Sequence, residues 1–160
     1  MDIAAHARSL VERNLYLTLG TVDDAGRPWS TPVYFAPEAD REFLWVSATD
    51  ADHSRHLARR PWVSLVVFDS TVPPYHGRAL YAVGTAAQVA DDDLDRALAS
   101  YPRPARDGAS AVERADVTGS APYRLYRATA SDLWVLCPRE PRQPCELHGR
   151  AADHRTRVPA

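Results

Sequence analysis

The sequence predicts a mainly β fold with short helices, in which about six strands close into a barrel whose ends are plugged by helical turns. Three observations point there. Short apolar runs with strand periodicity are separated by turn residues. Helical patterns are few and brief. The 160-residue chain has the size of one core and no internal repeat, so residues 1–160 read as one domain with a polar tail from about 138.

Taken in order, Asp2 can cap a first helix whose Ile3, Ala7, Leu10 and Val11 repeat at helical spacing, with Asn14 at its end. Leu15, Leu17 and Leu19 then alternate with Tyr16, Thr18 and Gly20, which is a strand. Asp23-Asp24-Ala25-Gly26-Arg27-Pro28 is turn chemistry, and Trp29 to Phe35 reads as the returning strand. A turn at Pro37-Glu38-Ala39-Asp40 leads into Phe43–Ser47, completing a three-strand meander. Residues 51–60 read as a short helix stopped by Pro61. Val63–Phe68 is an apolar run of central-strand type, and Leu80–Ala86 follows after a Pro-rich loop, with Gly84 marking a bulge. Asp91-Asp92-Asp93 caps a helix carrying Leu94, Ala97 and Leu98. Residues 102–121 read as a loop with a helical turn near Val112. Tyr123–Thr129 and Leu133–Leu136 close the sheet, and the tail is expected to be partly disordered or wrapped over a partner.

Composition narrows the chemistry. A formal net charge of -2 gives no footprint for nucleic acid or an anionic membrane. No apolar run approaches the length of a membrane span, and the start lacks a secretory signal pattern, so the expected location is the cytoplasm. All 19 basic residues are arginine. Without lysine there is neither a Schiff base nor a P-loop lysine, and an anionic cofactor must be held by arginine, histidine, hydroxyls and backbone N–H groups. Cys137 and Cys145 read as reduced thiols flanking a proline-rich loop, with a disulfide as the alternative. A zinc site joining them to His148 and His154 has irregular spacing, and no metal is expected.

The sequence contains no GxSxG, HExxH, CxxC or strand-linked GxGxxG. The most informative stretch runs from Trp29 to Phe68. Ser30-Thr31-Pro32-Val33 and Val46-Ser47-Ala48-Thr49 bring hydroxyls to strand ends, beside a helix start carrying His53, Ser54, Arg55 and His56. Free N–H groups, a helix dipole and basic side chains there suit a phosphate; an Arg-rich solvated face is the alternative.

The order "LGTVDDAGRPWSTPVYF", "EFLWVSATDADHSRHLARRPWVSLVVF" and "GRALYAVGTAAQV" resembles the pyridoxamine 5′-phosphate oxidase-like, FMN-binding split β-barrel family, over roughly residues 10–90. The resemblance implies a six-stranded split barrel, a homodimer with sites at the interface, FMN as cofactor and an oxidoreductase acting on a small molecule. It sets Thr31, Pro32 and Val33 along the flavin ring and gives Ser47 as a hydroxyl to the flavin or its phosphate. His53, in place of the family's phosphate-binding lysine, stands with Ser54 and Arg55 at the phosphate. Trp134 is the stacking aromatic. Two other cofactor readings follow from the same fold: the deazaflavin F420, its acidic tail met by Arg55, Arg59, Arg60 and Arg78, or a non-catalytic flavin or haem module. The terminal Asp153-His154-Arg155 only hints at the family's substrate-phosphate signature. No catalytic acid or base is assigned.

Overall fold

The computed structural model of the protein describes residues 2–103 and 107–159. Its elements are α1 (Ile3–Arg13), β1 (Tyr16–Val22), β2 (Pro28–Tyr34), β3 (Ala36–Ala39), β4 (Glu42–Ala48), α2 (Asp52–Leu57), β5 (Trp62–Phe68), β6 (Ala79–Gln88), α3 (Leu94–Ser100), a 3₁₀ turn (Arg114–Val117), β7 (Tyr123–Leu136) and β8 (Arg155–Arg157). The strands form one antiparallel sheet in the order β2-β1-β5-β6-β7-β4-β3, with β8 added along β7. Part of the 102–121 segment read as a loop, residues 104–106, lies outside the described residues.

The sheet is a split β-barrel, and its two edge strands are joined through the chain itself. β2 and β3 stand at opposite ends of the strand order, yet Phe35 alone separates them in sequence. The chain therefore bends at Phe35 and carries one edge of the curled sheet over to the other. Phe35 is fully buried, its N–H bonded to the Leu15 carbonyl at 3.1 Å and its ring 6.0 Å from that of Phe43. The same bend corrects the three-strand meander. β4 pairs with β3 and β7 rather than with β2. The Pro37–Asp40 stretch, read as a turn, is mostly strand, and the tail contributes β8, giving eight strands among the described residues rather than six.

Local sequence explains the elements. Asp2 caps α1 by accepting the Ala5 N–H at 3.0 Å, and Ala7, Leu10 and Val11 are its buried stripe. Asn14 ends the helix with its side-chain amide on the Leu10 carbonyl at 2.7 Å, not with left-handed backbone. α1 packs on the barrel core, which contains Leu17, Leu19, Phe35, Phe43, Trp45, Leu65 and Val135. A second core, with Leu44, Leu94, Ala97, Val117 and Leu125, holds α3 against the outside of β4 and β7. The expected bulge is present: the β6–β7 register shifts at Val83/Gly84, leaving Ser131 as the extra residue on β7. The two segments read as separate closing strands are the two halves of this single 14-residue strand.

Candidate cofactor site

The helix α2 is six residues long and lies against β1 and β2. His53, Ser54 and Leu57 face inward from it, the i, i+1, i+4 positions of one helical face. His53 Nε2 lies 2.7 Å from Ser47 Oγ at the end of β4, and both side chains are buried. The structure thus brings together two residues assigned to the phosphate, but turns them toward each other. Burial pushes the His53 pKa below the ordinary histidine value; Asp52 opposes the shift and His56 adds to it. Burial thus favours the neutral imidazole, which binds a phosphate less firmly than the family's lysine would. Ser54 Oγ is buried without a hydrogen-bond partner.

The opposite face of α2 lines an open groove of about 700 Å³ against the β1–β2 turn, with Asp23, Asp24, Arg27, Trp29, Asp52, Arg55, His56 and Arg59 around it. His56 Nδ1 is 3.0 Å from Thr21 Oγ1, which directs the other ring nitrogen away from that contact. The groove's arginines each carry an aspartate: Arg27 with Asp23 at 2.7 Å, Arg59 with Asp24 at 2.6 Å, and Arg55 with Asp52. Arg55 also donates to the Asp50 carbonyl. Three cations are thus balanced by three carboxylates. An incoming anion has to compete with exposed ion pairs, each individually weak.

The remaining predicted residues fall on β2 and β7. Thr31 accepts the Trp29 indole N–H at 2.7 Å, so the two residues brace one another at the sheet edge. Val33 is buried in the core. Pro32 is exposed, and the pairing register sets it in one row across the sheet with Thr18, Val66, Tyr81 and Trp134. Pro32 and Trp134 therefore share the outer face at some distance. Arg155 of β8 covers the indole, its guanidinium carbon 5.2 Å from the Trp134 ring centre and 6.0 Å from that of Tyr81.

The four arginines considered for an acidic tail do not line one groove. Arg55 and Arg59 line the groove at α2, and Arg60 donates to the Asp24 carbonyl nearby. Arg78 lies beyond the far end of β5, in a pocket with His6 and His76. The seven residues of β5 hold these ends roughly 20 Å apart. The Asp153-His154-Arg155 hint is also spent within the chain. Asp153 pairs with Arg139, His154 packs against His148, and Arg155 lies on Trp134. Sequence reasoning missed His56 as the histidine facing the groove. The signal was present, since His53 stands four residues before Leu57 and so shares its buried face.

A curled antiparallel sheet whose two edge strands are joined through Phe35, with a groove at a short helix, defines the class: a split β-barrel. Residues 3–137 match the pattern of pyridoxamine 5′-phosphate oxidase, and the chain belongs to that family. A pyridoxine/pyridoxamine 5′-phosphate oxidase of Bacteroides thetaiotaomicron is 30% identical over 141 residues, 88% of this chain and 64% of that protein. A relative of the same description from Burkholderia mallei is 29% identical over 80% of this chain and 57% of its own. The chain thus spans less than two thirds of the length of these relatives. Among solved structures, a heme binding protein from Mycobacterium smegmatis superposes with a TM-score of 0.70 at 18% identity, covering 97% of this chain and 57% of that one. A FAD-binding protein from Mesorhizobium loti gives 0.62 at 15% identity over 81% and 91% of the two chains. An F420 reductase gives 0.58 at 24% over 79% and 94%. These likenesses establish the shared fold. Among the described residues no helix is long and apolar enough to cross a membrane.

Proposed function

We propose that the protein is a flavin-dependent oxidoreductase that takes FMN at the groove between the β1–β2 turn and α2. The observation that carries this reading is the groove's lining: a half-exposed tryptophan, Trp29, beside Arg55, His56 and Arg59, in a chain of this family. An aromatic face suits the edge of a flat ring, and basic side chains suit a phosphate. His56 and Arg59 are the residues we assign to the phosphate. The fit is incomplete, since His53 is committed to Ser47, Arg55 to Asp52 and Arg59 to Asp24. Exchange of an aspartate for the phosphate makes binding weak, and the reading therefore includes modest affinity. A bound flavin supplies hydride exchange at N5 with a nicotinamide or another small molecule. The chain's own groups orient the ring and exclude water from one face.

FMN is favoured over F420 by the separation of Arg78 from the groove, because a long acidic tail has no continuous basic path there. Pyridoxamine phosphate is not the proposed substrate, because the side chains of Asp153, His154 and Arg155 are engaged elsewhere. The proposed assembly is a homodimer, discussed below. The test is an anaerobic titration of the full chain with FMN, F420 and hemin in turn, following cofactor absorption and tryptophan fluorescence. Saturable binding of FMN with quenching is expected. Replacing His56 and Arg59 together by alanine should weaken it by about 2 kcal/mol, the scale of two charge-assisted hydrogen bonds. Saturation by hemin or F420 with none by FMN overturns the reading, as does an FMN affinity unchanged in the double variant.

A further inference from the structure

Between β7 and β8 the chain makes an excursion from Pro138 to His154, and of its seventeen residues Cys145 alone is buried. A polar stretch of that length has no apolar core to order it, and small modules without a core are held by staples. Here the ordering contacts converge on one point. Cys137, Cys145, His148 and His154 each turn a potential ligand atom inward, and these four atoms lie within 4.8 Å of one another. The structure assigns to this cluster a tetrahedral Cys₂His₂ zinc site that clips the C-terminal segment to the end of β7.

The separations are those a zinc ion requires. His148 Nδ1 is 3.6 Å from Cys137 Sγ and 3.7 Å from Cys145 Sγ, and His154 Nε2 is 3.6 Å from Cys145 Sγ. The two ring nitrogens are 3.1 Å apart. Tetrahedral zinc with ordinary Zn–S and Zn–N bonds sets sulfur–nitrogen edges of about 3.6 Å and nitrogen–nitrogen edges of about 3.3 Å. The cysteines are free, not joined to each other.

The surrounding groups orient the ligands as they do around bound metals. His154 Nδ1 lies 2.9 Å from the Ala152 carbonyl, to which it donates, and this leaves the Nε2 lone pair facing the cluster. The His148 N–H donates to Cys145 Sγ at 3.3 Å, and the Cys145 N–H donates to the Arg150 carbonyl at 2.9 Å. Cys137 is fixed from the other side, its N–H on the His154 carbonyl at 2.8 Å. Two thiolates neutralise one Zn²⁺, and the two thiol protons leave to solvent on binding. With four protein ligands and no open position the site is structural rather than catalytic. Three of its ligands lie beyond residues 3–137, the part that matches the family. Its direct consequence is to hold β8 against β7, and with it Arg155 over Trp134.

The experiment is elemental analysis of the untagged full chain, purified under reducing conditions and dialysed against metal-free buffer. About one zinc per chain is expected, and replacement by cobalt should give the intense ligand-field bands of a tetrahedral site with thiolate ligands. Cys145→Ser should lose the metal. Because that variant can also misfold, the exposed His148 is changed as well: His148→Ala should keep the parent circular dichroism yet bind zinc about 100-fold more weakly. A chain that neither carries zinc nor takes up zinc or cobalt overturns the assignment. So does His148→Ala binding as tightly as the parent, or recovery of Cys137 and Cys145 as a disulfide from cells lysed into alkylating agent.

Discussion

At the scale of single residues, a network of ion pairs joins three elements. Arg127 of β7 donates to Glu38 of β3 at 2.6 Å and also bonds Asp93 at the start of α3, while Arg96 reaches Asp93 at 2.6 Å and Glu38 at 2.9 Å. The Glu38 side chain is buried, so removing Arg127 leaves its carboxylate to Arg96 alone in a low-dielectric setting. Arg127→Ala is expected to destabilise the fold by about 3 kcal/mol, measured by urea unfolding. Hydrogen bonds from Arg96 and Arg127 lower the Asp93 pKa to about 2. A carboxyl lowered on folding stabilises the native state above its unfolded pKa, and that contribution fades as the pH falls toward 2. The unfolding midpoint of Asp93→Asn should therefore lie below the parent's at pH 5 and converge on it near pH 2; a gap that persists at pH 2 refutes the linkage. This network was not legible in the sequence, where Asp93 reads as a helix cap. Its carboxylate makes no capping bond because two arginines from elsewhere in the fold compete for it. The choice between His53 and His56 was partly legible, since the four-residue step to Leu57 marks the inward face. The four proposed zinc ligands could be named from the sequence, but their irregular spacing hid that the return of β8 to β7 brings them together.

At the scale of elements, periodicity located most strands, and tertiary pairing decided what it could not. Residues 130–132 break the apolar alternation, so β7 reads as two strands. The break is a bulge: Ser131 is unpaired, its hydroxyl on the Val83 carbonyl at 3.2 Å, and the strand continues beyond it. Gly84 is what permits the bulge. A Cβ there would meet the Thr129 carbonyl oxygen at 2.1 Å and Ala130 Cα at 2.8 Å, both backbone atoms that cannot rotate away. At Gly20 the nearest atom is Ser64 Oγ at 2.2 Å, the end of a side chain that can turn to another rotamer. Gly84→Ala should accordingly cost about 3 kcal/mol, at the upper range for overpacking, and Gly20→Ala below about 1 kcal/mol. Thermal denaturation of both variants checks the contrast. Equal losses would mean that the strands at the bulge can part freely.

For the whole molecule, the closed barrel leaves one surface with the wrong character for solvent. On the outside of β5 and β6, Trp62 is 67% exposed, Phe68 52% and Val83 40%. Alternation in the sequence separates these side chains from the core, but it cannot say whether the outward face meets water or another chain; both alternate alike. Closure through Phe35 was likewise hidden, since the bend between β2 and the short β3–β4 hairpin leaves no mark in the apolar pattern. Isolated exposed hydrophobics are ordinary, whereas aromatic and β-branched residues gathered on paired neighbouring strands mark an interface. A two-fold contact sets the same patch against itself, and a stable one covers about 800 Å² on each partner. We therefore expect the protein to sediment as a homodimer joined through the β5–β6 face. Trp62→Arg, on an exposed side chain that supports no core contact, should leave the fold intact and shift the chain to monomer, because two guanidinium groups would be opposed across the axis. A parent chain that sediments as a monomer, or a Trp62→Arg chain that stays dimeric, would place the interface elsewhere or remove it. The oligomeric state also bears on the cofactor, since the row from Pro32 to Trp134 crosses this same face. If FMN contacts both copies, its affinity should rise with protein concentration in the parent and lose that dependence in Trp62→Arg.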